Sequence, residues 1–325
     1  HDDLVDVAWV LAAVRVAGCL AYAVIVARLL PGALVPRRPE PAVLAPLLRT
    51  GGWMTVANLV GPLMGYLDRF VIGAVSSLSA VAWYVTPQEI VTRLLIAPVA
   101  IASVLFPRLS ELHARDGDRM AAWPIERLAL GALYLGLMPT TLVLAVFAHP
   151  ILERWVGAEY AREGSAAMGI LCAGVLANAL AHVPFAALQA RGRARATALL
   201  QLAELPCYVL ALWSLTALWG VVGAALAWTT RIVVDLAALW LLARPRDARA
   251  DVRGEGVGLA VAAASAAAFA CAALSVEGGV AGLDGGWAAG AALAIGAVAW
   301  CVVALRFRDD LPRLAAARKS GELPR

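Results

Sequence analysis

The sequence predicts an all-α integral membrane protein with about nine transmembrane helices. Three observations lead to that class. Apolar residues make up 62% of the 325 residues, with a mean hydropathy of +0.78, whereas soluble domains are nearer half apolar. Runs long enough to cross a ~30 Å hydrocarbon core recur along the whole chain. The polar stretches between them reach at most about 25 residues, too few for a soluble domain.

In order, the predicted spans are roughly 4–29, 50–74, 80–106, 125–148, 165–188, 197–217, 220–242, 257–276 and 286–305. At 1.5 Å rise per residue each is long enough for a helix to cross the core. The first contains Arg15 well away from either end. The second begins with Gly51-Gly52-Trp53 and is interrupted at mid-depth by Gly61-Pro62. The third contains Pro87 and Pro98, the fourth Pro139, the fifth Pro184 and the sixth Pro206. Trp53, Trp83, Tyr84, Trp123, Trp155, Tyr160, Trp219 and Trp287 lie at span ends, where amphipathic rings anchor at the interface.

The net charge of +4 and pI near 9.0 do not imply a nucleic acid partner. In a membrane protein, arginine collects in the cytoplasmic connections. Segments 28–50, 107–124, 189–197, 243–256 and 306–325 hold 20 Arg and Lys; the alternate connections hold only Arg154 and Arg162. The first set is therefore expected in the cytoplasm, with the C-terminus inside and His1 outside. An outside N-terminus without a signal peptide predicts a chain preceded by an odd number of further spans. The five cysteines fall singly in apolar runs, and the four histidines make no ligand pattern, so neither a metal nor a cofactor is expected.

Charges inside the spans need a reason, since each costs a few kcal/mol or more at mid-bilayer unless paired or hydrated. They are Arg15, Asp68, Arg69, Glu89, Arg93, Glu204, Arg231 and Asp235. Counting residues from the loops puts Arg15, Glu89, Arg93 and Arg231 near the midplane, and Asp68 and Arg69 toward the outer side. Glu89 with Arg93, and Arg231 with Asp235, are i,i+4 pairs that share a helix face. They either neutralise one another inside the bundle or line a polar cavity between helices. Prolines within five spans lean toward kinked helices around such a cavity, with Gly61, Pro62 and Pro87 as candidate hinges. Gln88 lies beside the charged pair in TPQEIVTR. Glu126 and Arg127, at a span edge, need no such explanation.

Leu47–Leu112 resembles part of the Wzx-type polysaccharide flippases, within the multidrug/oligosaccharidyl-lipid/polysaccharide exporter superfamily. Gly51–Trp53, Gly61–Pro62, LDRFVIG at Leu67–Gly73, the pattern from Ala82 through Arg93, and FPRLSE at Phe106–Glu111 carry it. The other helices match only in hydropathy, spacing and the short RGRAR turn at Arg191–Arg195. The resemblance implies two six-helix lobes around a cavity, followed by two further helices. On that map residues 1–30 are the last helix of an N-lobe and 31–49 an interlobe linker. Residues 50–242 are the C-lobe, 243–305 the extra pair and 306–325 a cytoplasmic tail.

The implied activity is flipping undecaprenyl-pyrophosphate-linked oligosaccharide across the bacterial inner membrane for O-antigen, capsule or exopolysaccharide. The implied partners are that lipid-linked sugar, membrane lipids and polysaccharide polymerase machinery. Arg15, Arg93 and Arg231 would then meet pyrophosphate, for which a guanidinium is a planar fork of donors, and Arg69 would mark the outer exit. Asp68, Glu89 and Asp235 would balance charge or carry a coupled proton, and the Asp68–Arg69 pair would face the lumen or lock an outer gate.

A drug/cation antiporter and a lipid II flippase share the implied fold and remain alternatives. A polysaccharide polymerase or ligase is disfavoured, because the longest outer connection, 149–164, is too short to house catalytic residues. A membrane scaffold without transport activity would not explain buried charges beside kinks.

Overall fold

The computed structural model describes residues 2–29, 41–116, 119–244, 261–272 and 285–319. All regular structure among them is helical, and the chain is an all-α, multi-pass integral membrane protein. The helices are α1 (Asp2–Leu29), α2 (Pro41–Val75), α3 (Leu78–Thr92), α4 (Ile96–Asp116) and α5 (Arg119–Val146). They continue with α6 (Ala148–Trp155), α7 (Ala158–Ala190), α8 (Ala194–Ala243), α9 (Val261–Ala272) and α10 (Gly285–Lys319).

The chain divides into two compact units, His1–Arg49 and Thr50–Arg325. In the first unit, α1 has apolar residues on every side, with Arg15 among them, and none of its apolar window is buried by protein. Such a helix suits a hydrocarbon environment. The linker expected at 31–49 falls partly outside the described residues.

In the second unit α7 is the hub, packing against α3, α4, α5, α6 and α8. Its composition explains this. Ala161, Gly164, Ser165, Ala167, Gly169, Gly174, Ala177, Ala179 and Ala181 are all buried, and small residues let neighbouring backbones approach closely. A Cβ at Gly174 would enter the Trp228 ring. One turn earlier, the Ile170 carbonyl accepts a hydrogen bond from Thr229 Oγ1 at 3.1 Å.

The third predicted span, 80–106, is composite, with a 3-10 turn, Arg93–Leu95, between α3 and α4. Pro98 causes no break where it sits, because in the first turn of α4 its missing N–H costs nothing. Thr92 Oγ1 back-bonds to the Gln88 carbonyl at 2.7 Å, a contact that bends helices. The sixth and seventh spans run together as α8, which reverses at Trp219 and Gly220. Gly220 has φ +53°, a conformation that costs residues with a Cβ. Gly223 packs directly on the Leu215 carbonyl, so the two arms meet backbone to backbone just past the turn.

The expected interruption at Gly61-Pro62 does not occur. α2 runs unbroken from Pro41 to Val75. A helix interior tolerates proline when tertiary packing compensates the lost hydrogen bond.

At Pro139 the carbonyl four residues earlier finds a partner on another helix. Pro139 leaves the Leu135 carbonyl without its N–H, and Trp300 Nε1 of α10 donates to it at 2.8 Å. Pro87 frees the Trp83 carbonyl, which sits so close to Gly164 that a Cβ there would approach it to 2.8 Å. α10 and α9 also hold α5 through Gly296 against Met138 and Leu142, Phe307 over Gly131, and a 2.6 Å hydroxyl contact between Ser265 and Tyr134. Trp300→Phe is expected to lower stability by about 1 kcal/mol, the net worth of one hydrogen bond. Thermal unfolding in detergent checks it: a melting temperature equal to wild type would show that the indole N–H contributes nothing.

Candidate functional site

One face of α2 carries the site. Gly61, Met64 and Asp68 lie at i, i+3 and i+7, a single stripe. Asp68 is completely buried, and three donors hold it. Tyr84 Oη and Gln88 Nε2 of α3 donate to Oδ2 at 2.9 and 2.8 Å, and the Arg69 amide donates to Oδ1 at 2.8 Å. Tyr84 and Gln88 are one turn apart, so one face of α3 meets the carboxylate twice. Burying a carboxylate is costly unless its lone pairs are bonded, and here both oxygens are.

Asp68 anchors the start of α2's charged pair, and Arg69 projects from it. The Arg69 guanidinium lies 4.9 Å from the Tyr66 ring centroid and donates from Nη2 to Glu89 Oε1 at 2.9 Å. Arg93 reaches the other Glu89 oxygen at 3.4 Å. Glu89 is thus clasped between a guanidinium from α2 and one from the end of α3. The side chains of Glu89 and Arg93 are 47% and 75% exposed, whereas Asp68 is sealed. The network therefore runs from a closed interior to an open surface.

That open end is a groove of about 330 Å³ lined by Val85, Thr86, Glu89, Ile90 and Arg93 of the α3 segment and by Trp155 and Val156 at the end of α6. Depth counted along the chain puts Arg93 at the midplane, yet here it shares a groove with the end of α6. The 3-10 turn at Arg93–Leu95 and the short helix α6 escape a count that assumes straight spans.

The second cluster lies between α2 and the α8 hairpin. The Arg231 guanidinium stacks 5.1 Å from the Tyr208 ring centroid and points Nη1 at Met64 Sδ, 3.8 Å away. Glu204 interacts electrostatically with both Asp235 and Arg231. Glu204 Oε1 and Oε2, Asp235 Oδ1, Tyr208 Oη and Arg231 Nε are buried without a hydrogen-bond partner among the described residues. The anticipated Arg231–Asp235 pair does not close to ion-pair distance. Instead Arg231 turns onto Tyr208 while remaining in electrostatic reach of Asp235. Met64, one turn before Asp68, and Tyr208, which interacts with Asp68, join this cluster to the first. Bare buried acceptors beside a guanidinium can hold a polar group that lipid does not solvate.

Of the anticipated residues, Asp68, Arg69, Gln88, Glu89 and Arg93 form one network, and Arg231 and Asp235 join its continuation. Arg15 belongs to the first unit, exposed on α1. Gly61 faces the Gln201 amide, and Pro87 is buried in α3. The Asp68 carboxylate lies inside the helix packing, held by Tyr84 and Gln88. One anticipated role needs correction. Tyr84 is not an interface anchor; it is fully buried, and its hydroxyl serves Asp68. Tyr208 and Glu204 went unassigned as site residues, although Glu204 and Asp235 are equidistant from the Trp219–Gly220 turn, as are Tyr208 and Arg231.

A third polar feature ties helix ends together. Arg191 donates to Glu126 of α5 and to the Ala243 carbonyl, and Arg193 Nη1 donates to the Leu242 carbonyl at 2.9 Å. The Arg191 and Glu126 side chains are 5% and 2% exposed. Three connections grouped on one side by arginine content meet at one end of this unit.

Residues 2–113 match the family described as polysaccharide biosynthesis protein. The chain is 35% identical over 195 residues to a Shigella flexneri protein named "Putative O-antigen transporter", an alignment covering 60% of this chain and 46% of that protein. The chain thus spans about half the length of that curated relative. No solved structure matches it. The family match contains Asp68, Arg69, Gln88, Glu89 and Arg93, and each of the two similarities covers part of the chain.

Proposed function

We propose that this chain is part of a flippase that carries polyprenyl-pyrophosphate-linked oligosaccharide across the bacterial cytoplasmic membrane for surface polysaccharide. It acts as a transporter and carries out no covalent chemistry. The observation that carries this reading is the Asp68–Arg69–Glu89–Arg93 network, which lies wholly within the segment matching the family. The network is sealed at Asp68 and open at Arg93. Fixed guanidinium groups in a membrane suit a pyrophosphate or a hydroxyl-rich headgroup that lipid cannot solvate. The arginine distribution supports a cytoplasmic C-terminus and an inner-membrane location.

Deleting the gene in its host tests the reading. Lost surface polysaccharide with accumulation of lipid-linked single repeat units is the expected result. Normal polysaccharide with new sensitivity to cationic drugs would replace this function with that of a drug antiporter.

A further inference from the structure

The groove between α3 and α6 is built differently from the polar interior. Its walls are Val85, Ile90 and Val156, its open flank is the Trp155 indole, and its polar groups are Thr86, Glu89 and Arg93. Trp155 is 71% exposed at the end of α6, although Ala148 and Leu152, on the same stripe of that helix, are completely buried. The exposed ring is therefore held by a well-anchored helix.

The charges are also held in place. Glu89 is clasped by Arg93 and by Arg69, and Arg69 follows the fully buried Asp68. Glu89 accepts from both Arg69 and Arg93, so the groove presents a carboxylate acceptor and a guanidinium donor side by side. An apolar ring face beside an acceptor and a donor matches a hydroxyl-bearing ring with one C–H face. A simple anion would use the guanidinium alone and meet the Glu89 carboxylate beside it. The volume is at the lower end for ligand pockets.

We propose that this groove is a carbohydrate subsite. Trp155 stacks on the C–H face of a sugar ring, while Glu89, Arg93 and Thr86 bond its hydroxyls. This rests on the reading of the protein as a carrier of lipid-linked oligosaccharide, and it names where one sugar of that substrate is held.

The test uses the full-length protein in lipid nanodiscs and three probes. These are the host's own lipid-linked repeat unit, polyprenyl phosphate without sugar, and phosphatidylglycerol. Wild type, Trp155→Phe and Trp155→Ala are compared, with melting temperature as a folding check. Trp155→Ala is expected to weaken binding of the sugar-bearing lipid by about fivefold or more, as loss of an aromatic contact does. Polyprenyl phosphate binding is expected to stay unchanged, and Trp155→Phe to keep most of the affinity. Equal weakening for both polyprenyl lipids would overturn the subsite and point to a lipid contact, and unchanged binding of both would overturn it outright. If Trp155→Ala fails to fold, Thr86→Val takes its place with the same expected split between the two lipids. Wild-type protein that binds the repeat unit no better than phosphatidylglycerol would sink the flippase reading itself.

Discussion

Arg191→Ala is expected to destabilise the second unit by about 3–5 kcal/mol, the usual cost of stranding one member of a buried ion pair. Glu126 would be left nearly inaccessible without its partner, and the Ala243 carbonyl at the end of α8 would lose a donor. Both losses fall where α5 and both ends of α8 converge. The contribution of the pair as a whole is smaller, because desolvating both charges offsets much of their attraction. Arg191→Met combined with Glu126→Leu should therefore recover most of the stability. A double-mutant cycle by thermal unfolding in detergent measures the coupling. If Arg191→Ala melts within a degree of wild type, Glu126 has found water and the pair does not clamp these helices.

Under the proposed function, Asp68→Ala is expected to abolish transport; it is also expected to cost roughly 2–4 kcal/mol, since hydrogen bonds to a charged group contribute about 1.5–3 kcal/mol each and the cavity partly relaxes. The Tyr84 hydroxyl and the Gln88 amide would lose their shared acceptor. Arg69 would lose the carboxylate beside it, and with it the alignment toward Glu89. Asp68→Asn separates shape from charge. Its single oxygen can serve Tyr84 and Gln88, but its amide then faces the Arg69 N–H, donor against donor. Asn should thus retain more stability than Ala while still impairing export. Quantifying lipid-linked repeat units in strains carrying each variant, beside melting curves, gives the answer. Full export by Asp68→Ala would remove the network from the mechanism.

Much of the architecture is legible in the sequence because lipid imposes it. A helix must be about 20 apolar residues long, and its charges must have a reason to be there. That is why the spans, the membrane charges and the Glu89–Arg93 pair can be read from one chain. Partners on other helices are a different matter. Nothing local says that Tyr84 turns inward to Asp68 and not outward to the interface, since both positions suit a tyrosine at a span end. Glu126 looks like a residue at the water's edge until Arg191, 65 positions later, is seen to cover it. Gly61-Pro62 has the signature of a break, yet α2 is continuous, while the 3-10 turn at Arg93–Leu95 has no glycine or proline within it to announce it. The i,i+4 rule predicts which residues share a face, but not whether a better partner lies across the helix gap. Arg231 prefers the Tyr208 ring and Met64 to its own helix neighbour Asp235.

The α8 hairpin carries a consequence for how this gene can change. Glu204 and Asp235, and Tyr208 and Arg231, are matched only because equal numbers of residues separate each from the Trp219–Gly220 reversal. A codon gained or lost between Tyr208 and Arg231 would rotate one arm by about 100° and slide it about 1.5 Å, undoing both matches in one event. Point substitutions can be tried there one residue at a time. Changes in length cannot, so across any lineage that keeps this cluster the 22 codons between Tyr208 and Arg231 should vary in spelling and hold constant in number.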